Sequence, residues 1–271
     1  MMSPILLVMS ALFSMSWSAG LIDLSHKHGP ETLMFADSPN FNRSDIFSGD
    51  FFPGVFFRYG QYFSGEHGGT HMDAPNHVVT DGKSISDIPL EDTIAIGVQI
   101  DCSQEAARDR SFLVTVQKIL DWEREYGQIP MKAAVIINFG WSSKINNRTD
   151  YLGSESGNLF SYVFPALSPD VGKWLYNNRR VKILGTDTYT PDPFTIQGVR
   201  VTSFPVHEAL LSQNSLIVEN LKGTEQLPAT GFIFHASPVK YVGNTAAQVR
   251  AYAVTYAGIG PRKTSRPGPR Y

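Results

Sequence analysis

The stretch that decides how this chain is interpreted is His67-Gly68-Gly69-Thr70-His71-Met72-Asp73-Ala74-Pro75-Asn76-His77. It holds three of the seven histidines of the chain, so an unrelated set of surface or core histidines is a poor explanation. Pro75 removes a backbone donor and the glycine pair is costly inside a helix, so the stretch is not a regular helix. Imidazoles with a carboxylate suit a metal ion that activates water near neutral pH.

The spacing of these polar residues predicts a metal site with an open position. In an extended segment His71 and Asp73 point to the same face, because side chains alternate along a strand. The flexible glycine pair allows His67 to return to that face, and Pro75 ends the strand. His77 then hangs over the site from a short turn and is the candidate proton carrier. Three protein ligands and an open position indicate a catalytic metal centre.

The stretch resembles the His-x-Gly-Thr-His-x-Asp-x-Pro-x-His signature of the metal-dependent cyclase family, which includes bacterial kynurenine formamidases and isatin hydrolases. Other segments resemble further parts of the family pattern, and together they extend over roughly residues 21 to 257. These segments are Asp23-Leu24-Ser25-His26, Phe139-Gly140-Trp141, Gly185-Thr186-Asp187-Thr188 with Asp192-Pro193, His207-Glu208-Ala209-Leu210-Leu211 and Ile217-Val218-Glu219-Asn220-Leu221.

The resemblance implies a role for each matching polar residue. His67, His71 and Asp73 would hold a first metal ion, and His77 would be the general acid and base. Asp73 would bridge to a second ion that is held by two further residues, His207 and Glu219, with the glutamate reaching both ions. The ligand types suit Zn²⁺ and Mn²⁺ alike, so we expect one or two such ions per chain.

Outside the resemblance, His207 and Glu219 each leave two interpretations open. His207 follows Pro205 at a helix start, where it could equally cap the helix or pack against it. Glu219 lies in an apolar run and needs a counter-charge there, for which a metal ion is one choice.

The implied activity is metal-dependent hydrolysis of an amide C–N bond. Our first hypothesis is an arylformamidase, most like the conversion of N-formyl-L-kynurenine into kynurenine and formate in tryptophan catabolism. The alternatives are isatin-hydrolase-like opening of a cyclic amide with one metal ion, and a non-catalytic secreted homologue that binds a metal or a ligand. A small aromatic amide needs flat apolar walls. Phe35 and Trp141 are the candidates for substrate binding, with ordinary core packing as the alternative.

Composition and patterning predict a single globular α/β unit. The 271 residues carry a formal net charge of −2, which gives no reason to expect nucleic acid as a partner. Strand-like segments, such as the one from Val55 to Phe63, alternate with helix-like ones, such as the one from Thr115 as N-cap to Tyr126. This alternation favours a mixed sheet. The family resemblance implies a swivelling β/β/α cyclase-like fold with a barrel-like core, assembled as a homo-oligomer.

The two ends of the chain predict processing and export. Residues 1–19 combine an apolar stretch with small residues, typical of a secretory signal peptide and too short for a membrane span, although no basic residue precedes Lys27. A buried N-terminal strand is the alternative. Sequons at Asn42 and Asn147 support a secreted glycoprotein. We expect the hydrolase domain over residues 20–258 and a disordered basic tail over residues 259–271.

Overall fold

The computed structural model describes residues 19–256. The strands are β1 (Ala19–Asp23), β2 (Asn42–Phe52), β3 (Val55–Phe63), β4 (His71–Asp73), β5 (Ile94–Asp101), β6 (Leu113–Val114), β7 (Ala134–Asn138), β8 (Ala166–Leu167), β9 (Ile183–Thr186), β10 (Thr195–Ile196), β11 (Val199–Arg200), β12 (Leu216–Glu219), β13 (Thr230–His235), β14 (Ala246–Gln248) and β15 (Tyr252–Tyr256). The α-helices are α1 (Ser103–Arg108), α2 (Val116–Tyr126), α3 (Arg148–Leu152), α4 (Val171–Arg179) and α5 (Pro205–Leu211). Short 3₁₀ helices cover Pro75–His77, Ile85–Asp87, Leu90–Thr93, Ser142–Lys144, Leu159–Ser161 and Thr224–Gln226.

Two sequence predictions fall beyond this range. Residues 1–18 of the predicted signal peptide and the predicted basic tail, residues 259–271, lie outside the described residues. Within residues 19–256, no helix has the length and apolar character needed to cross a membrane.

A nine-stranded sheet organises the described chain, in the order β1-β15-β13-β5-β7-β9-β12-β4-β14. Its central strands β5, β7, β9 and β12 run parallel to one another. Antiparallel neighbours flank this centre on both sides, β13 beside β5 and β4 beside β12. The sheet curls into a half-barrel, which confirms the predicted α/β fold with a mixed sheet and a barrel-like core.

Strand β7 shows why the sheet is buried on both faces. Val135 and Ile137 join the apolar cluster that the helices cover, whereas Ala134 and Ile136 join a second cluster on the opposite face. All four side chains are fully buried. A continuous apolar run of this kind is typical of a central parallel strand, because neither face meets water.

Helix α2 begins and ends where its sequence predicts. The Thr115 hydroxyl accepts a hydrogen bond from the backbone N–H of Lys118, and Gly127 follows the last turn with a φ of 91°. On the buried side of the helix, the indole N–H of Trp122 donates to the carbonyl of Gln99 on β5. The cap and the buried face together explain why this segment is helical.

Strands β2 and β3 form a separate two-stranded sheet, residues 42–63, which we call the aromatic hairpin. Nearly all of its residues are exposed, including large apolar ones. Phe56 is 65% exposed, Phe63 is 63% exposed and Phe52 is 62% exposed. Exposed apolar patches on this scale usually mark interaction surfaces.

Candidate metal centre

The register between β4 and β12 builds the centre of the site. His71 lies directly opposite Glu219, and Asp73 lies opposite Ile217. Because side chains alternate along a strand, His71 and Asp73 share one face, while Met72 between them joins the apolar cluster on the other. The extended conformation expected for this stretch is therefore present, and its antiparallel partner brings Glu219 to the same place.

Three histidines from other elements surround these strands. His67 precedes β4, His207 lies in the first turns of α5, and His77 ends the 3₁₀ helix that begins at Pro75. The ring centroids of His67 and His77 are 4.2 Å apart, and those of His77 and His207 are 5.7 Å apart. The structure thus brings all six predicted metal-site and proton-transfer residues into one cluster.

The ligand atoms face one another at short distances. His67 Nδ1 lies 2.9 Å from Asp73 Oδ1, and His71 Nε2 lies 3.4 Å from the same oxygen. His207 Nε2 lies 3.4 Å from Asp73 Oδ2. Glu219 places Oε2 at 3.4 Å from His71 Nε2 and Oε1 at 3.4 Å from His207 Nε2. Each carboxylate therefore turns one oxygen towards His71 and the other towards His207, as expected for ligands that bridge two ions.

Several of these atoms are buried without any hydrogen-bond partner among the described residues. They are His71 Nε2, both oxygens of Asp73 and Glu219 Oε1. Leaving a buried polar atom unpaired costs about 1–3 kcal/mol, and more when the group is charged. Divalent cations held among these atoms would satisfy them, and nitrogen with carboxylate oxygen is a donor set that Zn²⁺ and Mn²⁺ accept. The cluster can therefore hold a metal ion.

Hydrogen bonds behind the cluster fix which ring nitrogen faces it. His71 Nδ1 lies 2.9 Å from the carbonyl of Gly69, which can only accept, so in the neutral ring this nitrogen carries the proton and Nε2 does not. His207 Nδ1 lies 2.6 Å from Asp192 Oδ2, so Nε2 of this ring is the nitrogen that faces the cluster. The Asp192 carboxylate also accepts from the backbone N–H groups of Val206 and His207, which anchors the start of α5. Such a carboxylate behind a ligating histidine is common at metal sites.

The third ligand histidine is held through a hydroxyl. His67 Nε2 lies 3.0 Å from Thr245 Oγ1, and that hydroxyl donates to Glu66 Oε2 at 2.8 Å. Sequence reasoning assigned no role to Asp192, Thr245 or Glu66. Thr245 lies 178 positions from His67, so local spacing carries no signal for it.

Charge inside the cluster shifts the pKa values of its members. Burial favours the neutral form of His71, but the charges of Asp73 and Glu219 outweigh it and raise the pKa of this imidazole to about 9. For Asp73, burial is likewise outweighed, and the neighbouring His71 and His67 hold its pKa well below the usual range. His77 shows the opposite balance, because burial lowers its pKa to about 4.

Gly69 shapes the loop that carries the first ligands. Its φ of +60° lies in the left-handed region that favours glycine. A side-chain carbon at this position would come within 3.0 Å of both His28 Nδ1 and Thr32 Cγ2. Both the backbone conformation and the limited space therefore favour glycine here.

The two predicted substrate-binding aromatics have different surroundings. Phe35 lies beside the cluster, with its ring centroid 6.3 Å from that of His67 and stacked on Tyr189 at 5.5 Å. Trp141 is only 2% exposed, and its indole N–H donates to the carbonyl of Tyr151. The Trp141 ring therefore packs in the core and offers almost no surface to a ligand, which favours the core-packing alternative over a role in substrate binding.

A further aromatic residue lies at the cluster. The Phe204 ring centroid is 5.8 Å from that of His207, and 37% of the residue is exposed. Sequence reasoning missed Phe204, because an aromatic residue ahead of a short helix carries no distinguishing signal. With Phe35 it gives the cluster two apolar neighbours.

Comparison with known proteins agrees with this geometry. A family model described as putative cyclase matches residues 22–193. This match agrees with the fold and with the buried cluster. The chain belongs to the cyclase family of metal-dependent hydrolases. The isatin hydrolase of Roseibium aggregatum is 32% identical over 210 residues, which cover 74% of this chain and 76% of that protein.

Two further comparisons support the same placement. The kynurenine formamidase of Salinibacter ruber is 29% identical over 185 residues, covering 68% of this chain and 74% of that protein. A crystal structure of an isatin hydrolase bound to the product analogue thioisatinate superposes with a TM-score of 0.80 at 27% identity, covering 95% of this chain and 100% of that one. The expected family is therefore confirmed.

Proposed function

We propose that this chain is a metal-dependent amidohydrolase that opens a cyclic aryl amide of the isatin class. The observation that carries the proposal is the convergence of buried, unpartnered ligand atoms on His71, Asp73 and Glu219. The choice of substrate class rests on the similarity to isatin hydrolases in sequence and fold.

We assign two half-sites to the cluster. The first half-site consists of His67, His71 and Asp73, and the second consists of Asp73, His207 and Glu219. We propose Zn²⁺ or Mn²⁺ in one or both half-sites, and Asp73 belongs to each of them. A divalent ion bound here supplies Lewis-acid activation of water and of the substrate carbonyl.

His77 is the residue that we assign to proton transfer. It lies next to ligands of both half-sites, and burial lowers its pKa to about 4, so its ring is neutral at pH 7 and can accept a proton from water. The water oxygen joins the carbonyl carbon, the C–N bond breaks, and His77 returns the proton to the leaving nitrogen. The products are an amine and a carboxylic acid on the same opened molecule, and the acid releases the second water proton to solvent to become a carboxylate.

Phe35 and Phe204 are the groups that we assign to substrate contact. The Phe35 ring centroid lies 6.3 Å from that of His67, and the Phe204 ring centroid lies 5.8 Å from that of His207. Flat apolar side chains next to a polar reaction centre suit an aromatic substrate with one reactive carbonyl.

Hydrolysis of an aryl formamide is the second candidate function. It is supported by the similarity to a kynurenine formamidase over 74% of that protein. N-formyl-L-kynurenine would give kynurenine and formate by the same proton transfers through His77. The lower identity, 29% against 32% for the isatin hydrolase, is why we place it second although the sequence alone favoured it.

A substrate panel distinguishes the two candidates. Protein loaded with Zn²⁺ or with Mn²⁺ is mixed with isatin or with N-formyl-L-kynurenine, and product is followed by absorbance. We expect isatin to be opened and the activity to vanish in chelator-treated protein. Faster cleavage of the formamide would favour the second candidate. Turnover of neither compound by fully loaded protein would contradict both and leave a non-catalytic metal-binding protein.

We also propose that the protein is secreted and glycosylated. The predicted signal peptide and the two sequons support this, and Asn42 and Asn147 are both exposed. Expression in a eukaryotic cell line should yield protein in the medium whose mass falls after glycosidase treatment. Asn42→Gln and Asn147→Gln should each remove part of that shift.

We propose a homo-oligomer in which the aromatic hairpin is the contact surface. The hairpin exposes large apolar side chains on both of its strands, and burying them in an interface would remove their contact with water. Light scattering should give a mass that is a multiple of the single chain.

A further inference from the structure

The environment of His67 differs from that of the other ligand histidines. Behind His71 stands a backbone carbonyl, and behind His207 a carboxylate, and both can only accept. Behind His67 stands the hydroxyl of Thr245, which can either donate or accept. A hydroxyl alone would leave open which nitrogen of His67 carries the proton.

Glu66 removes that ambiguity. A hydroxyl has a single hydrogen, and the hydroxyl of Thr245 gives it to Glu66 Oε2 at 2.8 Å. The Thr245 oxygen can then only accept, so the proton of a neutral His67 ring must sit on Nε2. The unprotonated nitrogen is Nδ1, the atom that lies 2.9 Å from Asp73 Oδ1 inside the cluster.

The Glu66 carboxylate is itself held in place. Besides the hydroxyl, its Oε2 accepts from the backbone N–H of Thr245 at 2.7 Å and from that of Ala246 at 3.2 Å. Gln248, on the same edge strand β14, donates to the carbonyls of Gly65 and Glu66 at 3.0 and 2.9 Å. Three donors on one oxygen and a second clamp on the backbone leave this acceptor little freedom to turn away.

We infer that Glu66 and Thr245 are positioning residues that prepare His67 Nδ1 to bind the cation of the first half-site. The inference rests on the metal site put forward under the proposed function. It also predicts a local effect, because the Thr245 hydroxyl contacts His67, a ligand of the first half-site alone, whereas His207 of the second half-site is held by Asp192. The pair therefore controls metal affinity at one half-site and leaves the other unchanged.

The test measures metal affinity with each half-site isolated. Zn²⁺ is titrated into metal-free protein against a chromophoric chelator, in a His207→Ala background that retains the first half-site and in a His67→Ala background that retains the second. Loss of a residue that orients a ligand typically weakens metal binding about 10–100-fold. We expect Thr245→Val to cause a loss of that size in the His207→Ala background and no change in the His67→Ala background.

Two further variants test whether the effect comes from the orientation of the His67 ring or from a general loss of structure. Thr245→Ser keeps the hydroxyl and should restore affinity to within about threefold of the parent, well inside the loss expected for the valine variant. Thr224→Val removes a threonine hydroxyl elsewhere, a buried one that donates to Asn138 Oδ1 at 2.8 Å outside the cluster, and should leave Zn²⁺ affinity unchanged.

The outcomes separate this inference from the proposed function. If the parent protein binds no Zn²⁺, the metal site itself is wrong. If the parent binds Zn²⁺ and Thr245→Val binds equally well in both backgrounds, the positioning role is wrong. Equal weakening in both backgrounds would also overturn it, because the effect would then be a general loss of structure.

Discussion

The metal cluster and the aromatic hairpin are both built from antiparallel strands, but they make opposite use of them. At the cluster, polar side chains are buried: His71 is 1% exposed and Asp73 is 0% exposed. At the hairpin, apolar side chains face water, with Phe56 65% exposed and Phe63 63% exposed. Each region reverses the usual distribution of residues, and each reversal costs free energy in the isolated chain.

The difference lies in what completes each region. At the cluster, buried nitrogen and carboxylate oxygen atoms converge, and outer groups at Gly69 and Asp192 fix two of its histidines, so the cluster suits a small, charged occupant. The hairpin forms its own two-stranded sheet and exposes large apolar side chains, so it suits the apolar surface of the second copy that we propose as its partner. Variants that abolish metal binding at the cluster should leave the hairpin unchanged. Variants that remove the apolar side chains of the hairpin should leave the cluster unchanged.

The largest effect is expected from Asp73→Asn. Asp73 is the ligand shared by both half-sites, and an amide removes its charge while presenting N–H groups to the cations. We expect the variant to lose its bound metal. Turnover should fall by more than roughly 100-fold, the upper end of the effect seen when a residue that only supports a metal ligand is changed. Elemental analysis and the isatin assay measure both. Asp81→Asn, at an exposed position, is the matched control. A variant that kept its full metal content would contradict the bridging role.

His77→Ala should have the next largest effect on turnover. A positioned proton carrier contributes roughly 10²- to 10⁴-fold, so kcat should fall by that factor while the metal content remains at the parent level. Turnover and elemental analysis on the same samples provide the comparison. Loss of metal together with activity would show that His77 is a ligand and not a proton carrier.

The pH dependence of stability should distinguish loaded from metal-free protein. In the metal-free protein, burial opposes protonation of His71, but Asp73 and Glu219 prevail and raise its pKa from 6.5 to about 9. Stability from this protonation is fully present below pH 6.5 and is lost as the pH rises towards 9. Metal binding displaces the proton and strengthens as the pH rises. The difference in Tm between loaded and metal-free protein should therefore widen over this range, and a constant difference would count against the ligand role of His71.

Changes in the hairpin should have the smallest effect on metal binding and turnover, and their main effect should be on the oligomeric state. Phe52→Ser combined with Phe57→Ser should lower the mass seen by light scattering, because both rings belong to the proposed contact surface. Since these residues are exposed in the single chain, its unfolding free energy should change by only about 0.5 kcal/mol. Leu90→Ser, an exposed apolar residue on another element, is the control and should leave the mass unchanged. An unchanged mass for the double variant would exclude the hairpin as the contact.

The sequence predicted those parts of the structure that depend on neighbouring residues. The alternation that places His71 and Asp73 on one face, the turn at Pro75 and the cap of α2 at Thr115 are all local, and all are present. The strand Val55–Phe63 was also predicted with its observed bounds.

Contacts between distant segments could not be predicted in this way. The burial of Trp141 depends on its partner Tyr151 and on the surrounding core, and the support of His67 depends on Thr245 near the end of the chain. Strand β2, the other half of the hairpin, lacks the apolar alternation of a strand with one buried face, because both of its faces are exposed. No periodicity in the sequence could therefore mark it.

The loop at Gly69 has a consequence for anyone who wishes to transplant this centre into another scaffold. Its carbonyl orients the imidazole of His71, while its own path is confined by His28 and Thr32. Copying the ligands alone would leave that carbonyl free to swing and the ring free to rotate. A graft would have to include the 28–34 segment together with the elements that carry the other ligands, so the signature motif alone is not a transferable unit.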